Sequence, residues 1–205
     1  MYKLQYISQG QTAEEHFLNC QQVLEAGGKW IQLRMKNFTE EIVEETALKV
    51  KDLCKKFGAV FILNDNVQLA KKIDADGIHL GLTDTSIQKA KEILGKDKIF
   101  GGTANSLEDV IQRINEGCNY IGLGPFRFTT TKDKLSPILG LEGYKILINQ
   151  LNEEQRKTPI IAIGGIEVAD ISTILKTGIS GIALSGLITN TPNKKELITL
   201  LHKSI

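Results

Sequence analysis

The chain has 205 residues, 41% hydrophobic and 24% charged, with 25 Lys and Arg against 24 Asp and Glu for a formal net charge of +1. This balance fits a soluble globular protein of one or two domains and argues against a nucleic-acid binder, whose Lys and Arg gather on one phosphate-tracking face. No apolar run approaches the roughly 20 residues that span a bilayer, Met1-Tyr2-Lys3-Leu4-Gln5-Tyr6 has no apolar leader region, and Cys20, Cys54 and Cys118 are too few and scattered for a disulfide framework or a zinc site. The cytoplasm is the expected compartment, with the cysteines as buried small hydrophobes and the glycosylation sequence Asn37-Phe38-Thr39 idle.

Eight short β-type runs follow one another: Lys3–Ser8, Trp30–Lys36, Val60–Asp65, Gly77–Gly81, Ile99–Thr103, Tyr120–Pro125, Ile160–Gly165 and Gly181–Gly186. Each leads through a polar turn into a segment of helical period. The first such segment opens with a capping box, Thr12-Ala13-Glu14-Glu15. The second run, Trp30-Ile31-Gln32-Leu33-Arg34-Met35-Lys36, is the most informative. In a strand, residues two apart share a face, so Ile31, Leu33 and Met35 point one way and Gln32, Arg34 and Lys36 the other. With the dry face packed on helices, the cations point into the fold, where they are costly without a counter-anion. Such a strand calls for an anionic ligand.

Between Thr39 and Gly58, the residues Ile42, Ala47, Val50, Leu53, Cys54 and Phe57 form one apolar helical stripe, and Gly58 suits its C-terminal stop. Asp65 ends the third run, and Asp84 follows Gly77-Ile78-His79-Leu80-Gly81 by a short turn, so two carboxylates can meet at one rim. Each alone also reads as a helix N-cap, with Asn66 and Thr85 opening the next segments. Together, opposite Arg34 and Lys36, they read as ligands of Mg2+, which is usually held by one or two carboxylates plus phosphate oxygens and water. His79 lies on the inward face of its strand, either as a site acid or base or, more simply, as a structural hydrogen-bonding group.

Ser106-Leu107-Glu108-Asp109 is a second capping box. In the sixth run Ile121 and Leu123 face the helices, while Gly122 and Gly124 face inward and leave space where a barrel normally carries bulky side chains. The interval from Tyr120 to Ile160 is the longest between run starts, and its segment Phe126-Arg127-Phe128-Thr129-Thr130-Thr131-Lys132-Asp133-Lys134 reads as a lid or else as a solvated turn. Ile163-Gly164-Gly165-Ile166 and Leu184-Ser185-Gly186 offer backbone N–H groups and a hydroxyl to a phosphate monoester. Gly178 suits a helix stop and Pro192 a first helical turn.

These alternations predict an α/β protein, a single (β/α)8 TIM barrel over 1–205, against a doubly wound open sheet as the other arrangement. An open sheet concentrates its site at one switch point. Here polar residues collect after seven of the runs, at Lys36, Asn64-Asp65, Asp84, Thr103, Thr129 to Lys132, Gly164-Gly165 and Ser185-Gly186, which favours the barrel.

Gln32-Leu33-Arg34-Met35-Lys36, Asn64-Asp65, Gly77-Ile78-His79-Leu80-Gly81 with Asp84, Gly122-Leu123-Gly124-Pro125 with Thr129-Thr130-Thr131-Lys132, and Ala162-Ile163-Gly164-Gly165-Ile166 resemble, in order and spacing, the thiamine phosphate synthase family over nearly the whole chain. The resemblance implies an enzyme that joins 4-amino-2-methyl-5-hydroxymethylpyrimidine diphosphate to 4-methyl-5-hydroxyethylthiazole phosphate, releasing diphosphate. It implies that Gln32, Arg34, Lys36, Asn64, Thr103 and Lys132 bind the pyrimidine diphosphate, that Asp65 and Asp84 hold Mg2+, and that Thr129, Thr130, Thr131, Gly165, Leu184 and Ser185 bind the thiazole phosphate. Two positions depart from the pattern: Leu82 stands where the family often has Gln, and Thr103 where it often has Ser in the loop after strand five.

The implied chemistry needs no nucleophilic side chain. Loss of diphosphate leaves a methylene cation supported by the electron-rich aminopyrimidine, a dissociative route in which Arg34, Lys36, Lys132 and Mg2+ neutralise the leaving group and the site holds the thiazole nitrogen in line. A closing lid keeps water from the cation. A thiazole tautomerase of the same superfamily is an alternative, but it places a proton-transferring His where this chain reads Gly102-Thr103-Ala104-Asn105. A non-catalytic phosphate-ligand sensor shares the fold without the chemistry, and the full set of cations and carboxylates speaks against it. The expected partners are small phosphorylated substrates, with no nucleic acid and no membrane, and a homo-oligomer is compatible with all of this.

Overall fold

Period-two alternation of apolar residues closes into a barrel. The computed structural model describes residues 2–128 and 137–205, and in it eight parallel strands pair in chain order, the last with the first. They are β1 Leu4–Ile7, β2 Trp30–Leu33, β3 Val60–Asn64, β4 Gly77–Leu80, β5 Ile99–Ala104, β6 Tyr120–Leu123, β7 Ile160–Ile163 and β8 Gly181–Leu184. The helices are α1 Ala13–Glu25, α2 Glu40–Phe57, α3 Val67–Lys72, α4 Ile87–Leu94, α5 Leu107–Asn115, α6 Gly140–Gln150, α7 Ile171–Leu175, α8 Gly186–Thr189 and α9 Lys194–Ser204. All eight sequence-predicted runs are strands, but seven stop one to three residues early; β2, for example, ends at Leu33 and leaves Arg34 and Lys36 in the loop beyond it.

Local signals set the helix ends. Thr12 and Ser106 form the expected capping boxes with Glu15 and Asp109, each hydroxyl accepting from the N3 amide while the N3 carboxylate accepts from the cap amide. Gly58 stops α2 in the left-handed conformation at φ 59°, where a residue with no Cβ is unstrained. Two expectations shift. Asn193, not Pro192, abuts α9 and caps it, because its side-chain oxygen satisfies an orphan amide that proline cannot address. Ile42 on α2 is 40% exposed, and Val43 packs on the core in its stead, because the buried stripe through Ala47, Val50 and Cys54 runs one position over.

The alternation sorts the core into two layers. Tyr6, Ile31, Leu33, Phe61, Ile78, Ile121 and their alternates pack outward under the helices, where each fully buried side chain contributes about 1.5–3 kcal/mol. Inside the barrel sit Ile7, Trp30, Ile62, Tyr120, Ile161 and Ala183. The ring of Tyr120 meets Trp30 edge-on at 4.7 Å, and it fits because a Cβ on Gly101 would lie 2.1 Å from its Cζ. This plug fills the lower barrel and leaves the C-terminal mouth open. Gln32 stands opposite Ile62, Asn64 opposite His79 and Thr103 opposite Gly122, so the polar inward residues come to neighbouring heights.

Candidate active site

A cavity of about 730 Å³ occupies that mouth. Gln32, Arg34, Lys36, Asn64 and Thr103 line it from β2, β3 and β5, and Gly165, Leu184 and Ser185 line it from β7 and β8. Asp65 and Asp84 stand on the rim beside it and are not part of its wall. Thr129, Thr130, Thr131 and Lys132, and with them most of the expected lid, lie outside the described residues.

The charged side is built where β3 and β4 end. Asp65 takes a left-handed backbone, φ 64°, and its carboxylate receives the Lys36 ammonium at 2.6 Å. Asp84 closes the turn after β4, its Oδ2 accepting from the Gly81 N–H at 2.6 Å. Neither is a helix cap: Asn66 and Ser86 cap α3 and α4, so the N-cap reading of the two carboxylates does not hold. Burial raises the Asp65 carboxyl above its ordinary value; Lys36 opposes this, and the adjacent Asp84 adds to it. Two neighbouring carboxylates with a lysine paired to Asp65 alone are short of positive charge, so a divalent cation suits them. Among the described residues no group of three or more His, Cys, Asp or Glu stands together, so the rest of such an ion's coordination would fall to ligand oxygens and water.

Under the cavity runs a hydrogen-bond chain that the sequence reading did not anticipate. Gln32 Nε2 donates to Gln5 Oε1 at 3.3 Å and Gln5 Nε2 to Tyr120 Oη at 3.1 Å; Tyr120 Oη meets His79 Nδ1 at 3.0 Å, and His79 Nε2 meets Thr103 Oγ1 at 3.0 Å. Burial holds the Tyr120 hydroxyl protonated, well above its ordinary pKa. Both ring nitrogens of His79 are therefore bonded, and the ring also lines the cavity. Thr103 lies within β5, not in the loop after it, because the ladder to β6 continues to Ala104 and Leu123. The visible signal was Gln5, a lone amide at an inward position of an apolar strand.

A second hidden support holds Arg34. Its backbone N–H donates to Ser8 Oγ at 2.9 Å, and Ser8 Oγ meets His16 Nδ1 at 2.9 Å. Burial lowers the His16 pKa and so favours the neutral ring.

Among the described residues, the opposite side carries no charged side chain on its wall. Gly164 and Gly165 have φ of 94° and 65°, the left-handed geometry in which successive N–H groups can turn toward one anion. Ser185 Oγ donates to Gln9 Oε1 at 3.3 Å. Leu184 packs its side chain outward in the sheet–helix core, leaving its main chain to face the cavity. Behind the glycines, Arg127 grips Asp170 through two bonds of 2.9 and 3.0 Å and donates to the Gly165 carbonyl at 2.6 Å, fastening the start of the β6–α6 loop to the β7–α7 loop. Gly122 opens cavity as expected, since a Cβ there would stand 3.2 Å from His79 Cε1. Gly124 also lines the cavity, and because a Cβ on it would strike the Ile163 carbonyl at 2.2 Å, its lack of a side chain lets β7 approach closely as well. Leu82 is exposed on the turn after β4 and lines no part of the cavity.

Fold and mouth chemistry together define a (β/α)8 barrel whose polar cavity suits phosphorylated ligands. The sequence profile described as thiamine monophosphate synthase matches residues 4–188. The chain is 57% identical over 203 residues to a thiamine-phosphate synthase of Flavobacterium psychrophilum, covering 99% of this chain and 98% of that protein. It is 50% identical over 188 residues to one of Bacteroides thetaiotaomicron, covering 92% and 90%. A solved structure, thiamine phosphate pyrophosphorylase from Pyrococcus furiosus, superposes with a TM-score of 0.84 at 28% identity over 99% of this chain and 96% of that one. The chain belongs to the thiamine monophosphate synthase family.

Proposed function

We propose that this chain is a thiamine phosphate synthase, a transferase that joins 4-amino-2-methyl-5-hydroxymethylpyrimidine diphosphate to 4-methyl-5-hydroxyethylthiazole phosphate and releases diphosphate. The observation that carries the reading is one cavity with two unlike anion-handling sides: Arg34, Lys36, Asp65 and Asp84 at one edge, and Gly164, Gly165 and Ser185 at the other. The first suits a diphosphate with its metal ion, the second a phosphate monoester.

Asp65 and Asp84 would hold Mg2+, whose chemistry is to neutralise charge on the diphosphate. Arg34 and Lys36 bind the same leaving group, which favours a dissociative departure to a pyrimidine methylene cation. Gln32, Asn64 and Thr103 face the pyrimidine end, and Lys132 joins the diphosphate. The glycines, Ser185, the Leu184 main chain and Thr129 to Thr131 hold the thiazole phosphate so that the ring nitrogen lies in line with the methylene. All of 1–205 acts as one catalytic domain in this reading. The three cysteines are free and buried, in keeping with a reducing, cytoplasmic setting. Among the described residues no helix is long and apolar enough to cross a membrane, and the partners are small phosphorylated molecules.

Incubating the protein with both substrates and Mg2+ is expected to yield thiamine phosphate and diphosphate in equal amounts, and omitting Mg2+ to remove the product. An isomerised thiazole with no condensation would point to the tautomerase instead, and no conversion at all to a sensor.

A further inference from the structure

Arg113 on α5 is 2% exposed, and among the described residues it is the only buried Lys, Arg, Asp or Glu. Removing a guanidinium from water is costly unless every donor direction is met, so its partners say what the fold gains. Nη1 pairs with Glu116 at 2.7 Å on the same helix, which balances the charge. The other two contacts reach the barrel: Nε donates to the Thr103 carbonyl at 3.1 Å and Nη2 to the Gly81 carbonyl at 2.9 Å. One planar group therefore spans the C-terminal ends of β4 and β5. The sheet is shaped to admit it, because a Cβ on Gly102 would lie 2.6 Å from Arg113 Cδ and 2.9 Å from Nε.

Both gripped peptides carry residues of the charged side of the cavity. The Gly81 unit receives Arg113 on its carbonyl while its N–H is held by the Asp84 carboxylate at 2.6 Å, so the guanidinium sets the turn that aims Asp84. Thr103 receives Arg113 on its carbonyl while its hydroxyl meets His79 Nε2 at 3.0 Å. No contact of Arg113 reaches Gly165 or Ser185 on the far side. We propose that Arg113 is a positioning residue that fixes Asp84 and Thr103 relative to each other, and so presets the metal–diphosphate side of the cavity without touching either substrate. This rests on the functional reading above.

The test is Arg113→Lys, which keeps the charge but loses the planar fork that reaches both carbonyls. Calorimetric titration of the folded variant with magnesium and inorganic diphosphate is expected to show about tenfold weaker binding, as losing one charge-assisted hydrogen bond implies. The KM for the pyrimidine diphosphate should rise in parallel, while the KM for the thiazole phosphate stays within about twofold. A purely structural role would lower the unfolding temperature and leave both affinities of the folded protein unchanged. Unchanged magnesium diphosphate binding, or equal rises in the two KM values, overturns the proposal. Should Arg113→Lys fail to fold, Glu116→Gln touches neither carbonyl and should give the same selective change at about threefold, and no selective change there is equally fatal. Wild-type turnover and Asp84→Asn run alongside: if those fail to show synthase activity and metal binding, the functional reading is at fault, not the role of Arg113.

Discussion

The two sides of the cavity mouth, each proposed to hold an anion, are built by different means. Where β2, β3 and β4 end, the protein presents charged side chains: an exposed Lys36, a left-handed Asp65 raised in pKa, and Asp84 beside it. Where β7 and β8 end, it presents fixed dipoles, with Gly164 and Gly165 in left-handed geometry and the nearby charges of Arg127 and Asp170 already spent on each other. On the proposed reading, the difference teaches that the first side calls for an added cation, while the second relies on backbone geometry and hydroxyl groups. Affinity on the charged side should respond to metal and salt, and on the neutral side to shape.

Removing a carboxylate proposed to hold the metal breaks the comparison most severely. Asp65→Asn keeps a residue that tolerates φ 64° but loses the anion, and turnover across a magnesium titration should fall by about two to three orders of magnitude with little change in unfolding temperature. Near-normal activity at limiting magnesium would show that the charged side needs no ion.

Next in size is the contrast between Lys36→Ala and Ser185→Ala. Loss of a full charge should raise the KM for the pyrimidine diphosphate by about tenfold to a hundredfold. The Ser185 hydroxyl already donates to Gln9, so binding exchanges one acceptor for another, and its loss should raise the KM for the thiazole phosphate by about tenfold at most. Each variant should spare the other substrate. Steady-state titration of one substrate at saturating levels of the other sharpens the comparison, and reversed selectivities would exchange the two sides.

The smallest effect concerns the clasp behind the glycines. The Arg127 guanidinium holds the Asp170 carboxyl below its ordinary value, so its stabilisation is present above the usual aspartate range and is lost as pH falls through the lowered folded-state value. Asp170→Asn should therefore lower Tm by a small amount at pH 7, with the gap to the wild type closing as the pH falls below the usual aspartate range. A gap that persists in acid would mean that the clasp acts through something other than charge.

Much of this was legible in the chain. Alternation placed Gln32, Arg34 and Lys36 toward the mouth even though β2 stops at Leu33, because Cβ direction is set by each residue's own backbone. Capping boxes at Thr12 and Ser106 needed only neighbours three residues apart. The resemblance then gathered eight of the site residues around one cavity and set both carboxylates at its rim.

Side-chain period, caps and the inward polar stripe are local information, and the sequence by itself determined them: the strand–helix alternation, the two-sided strands and the residues that reach the mouth. Only closure of the barrel decided which buried polar groups meet. Gln5 reaches Tyr120 across 115 positions, Arg113 reaches Gly81 across 32, and Arg127 reaches Asp170 across 43. A hydrogen bond is short-ranged and directional, so a pairing between distant residues leaves no periodic trace in the chain and exists only once the strands that carry them have been brought side by side.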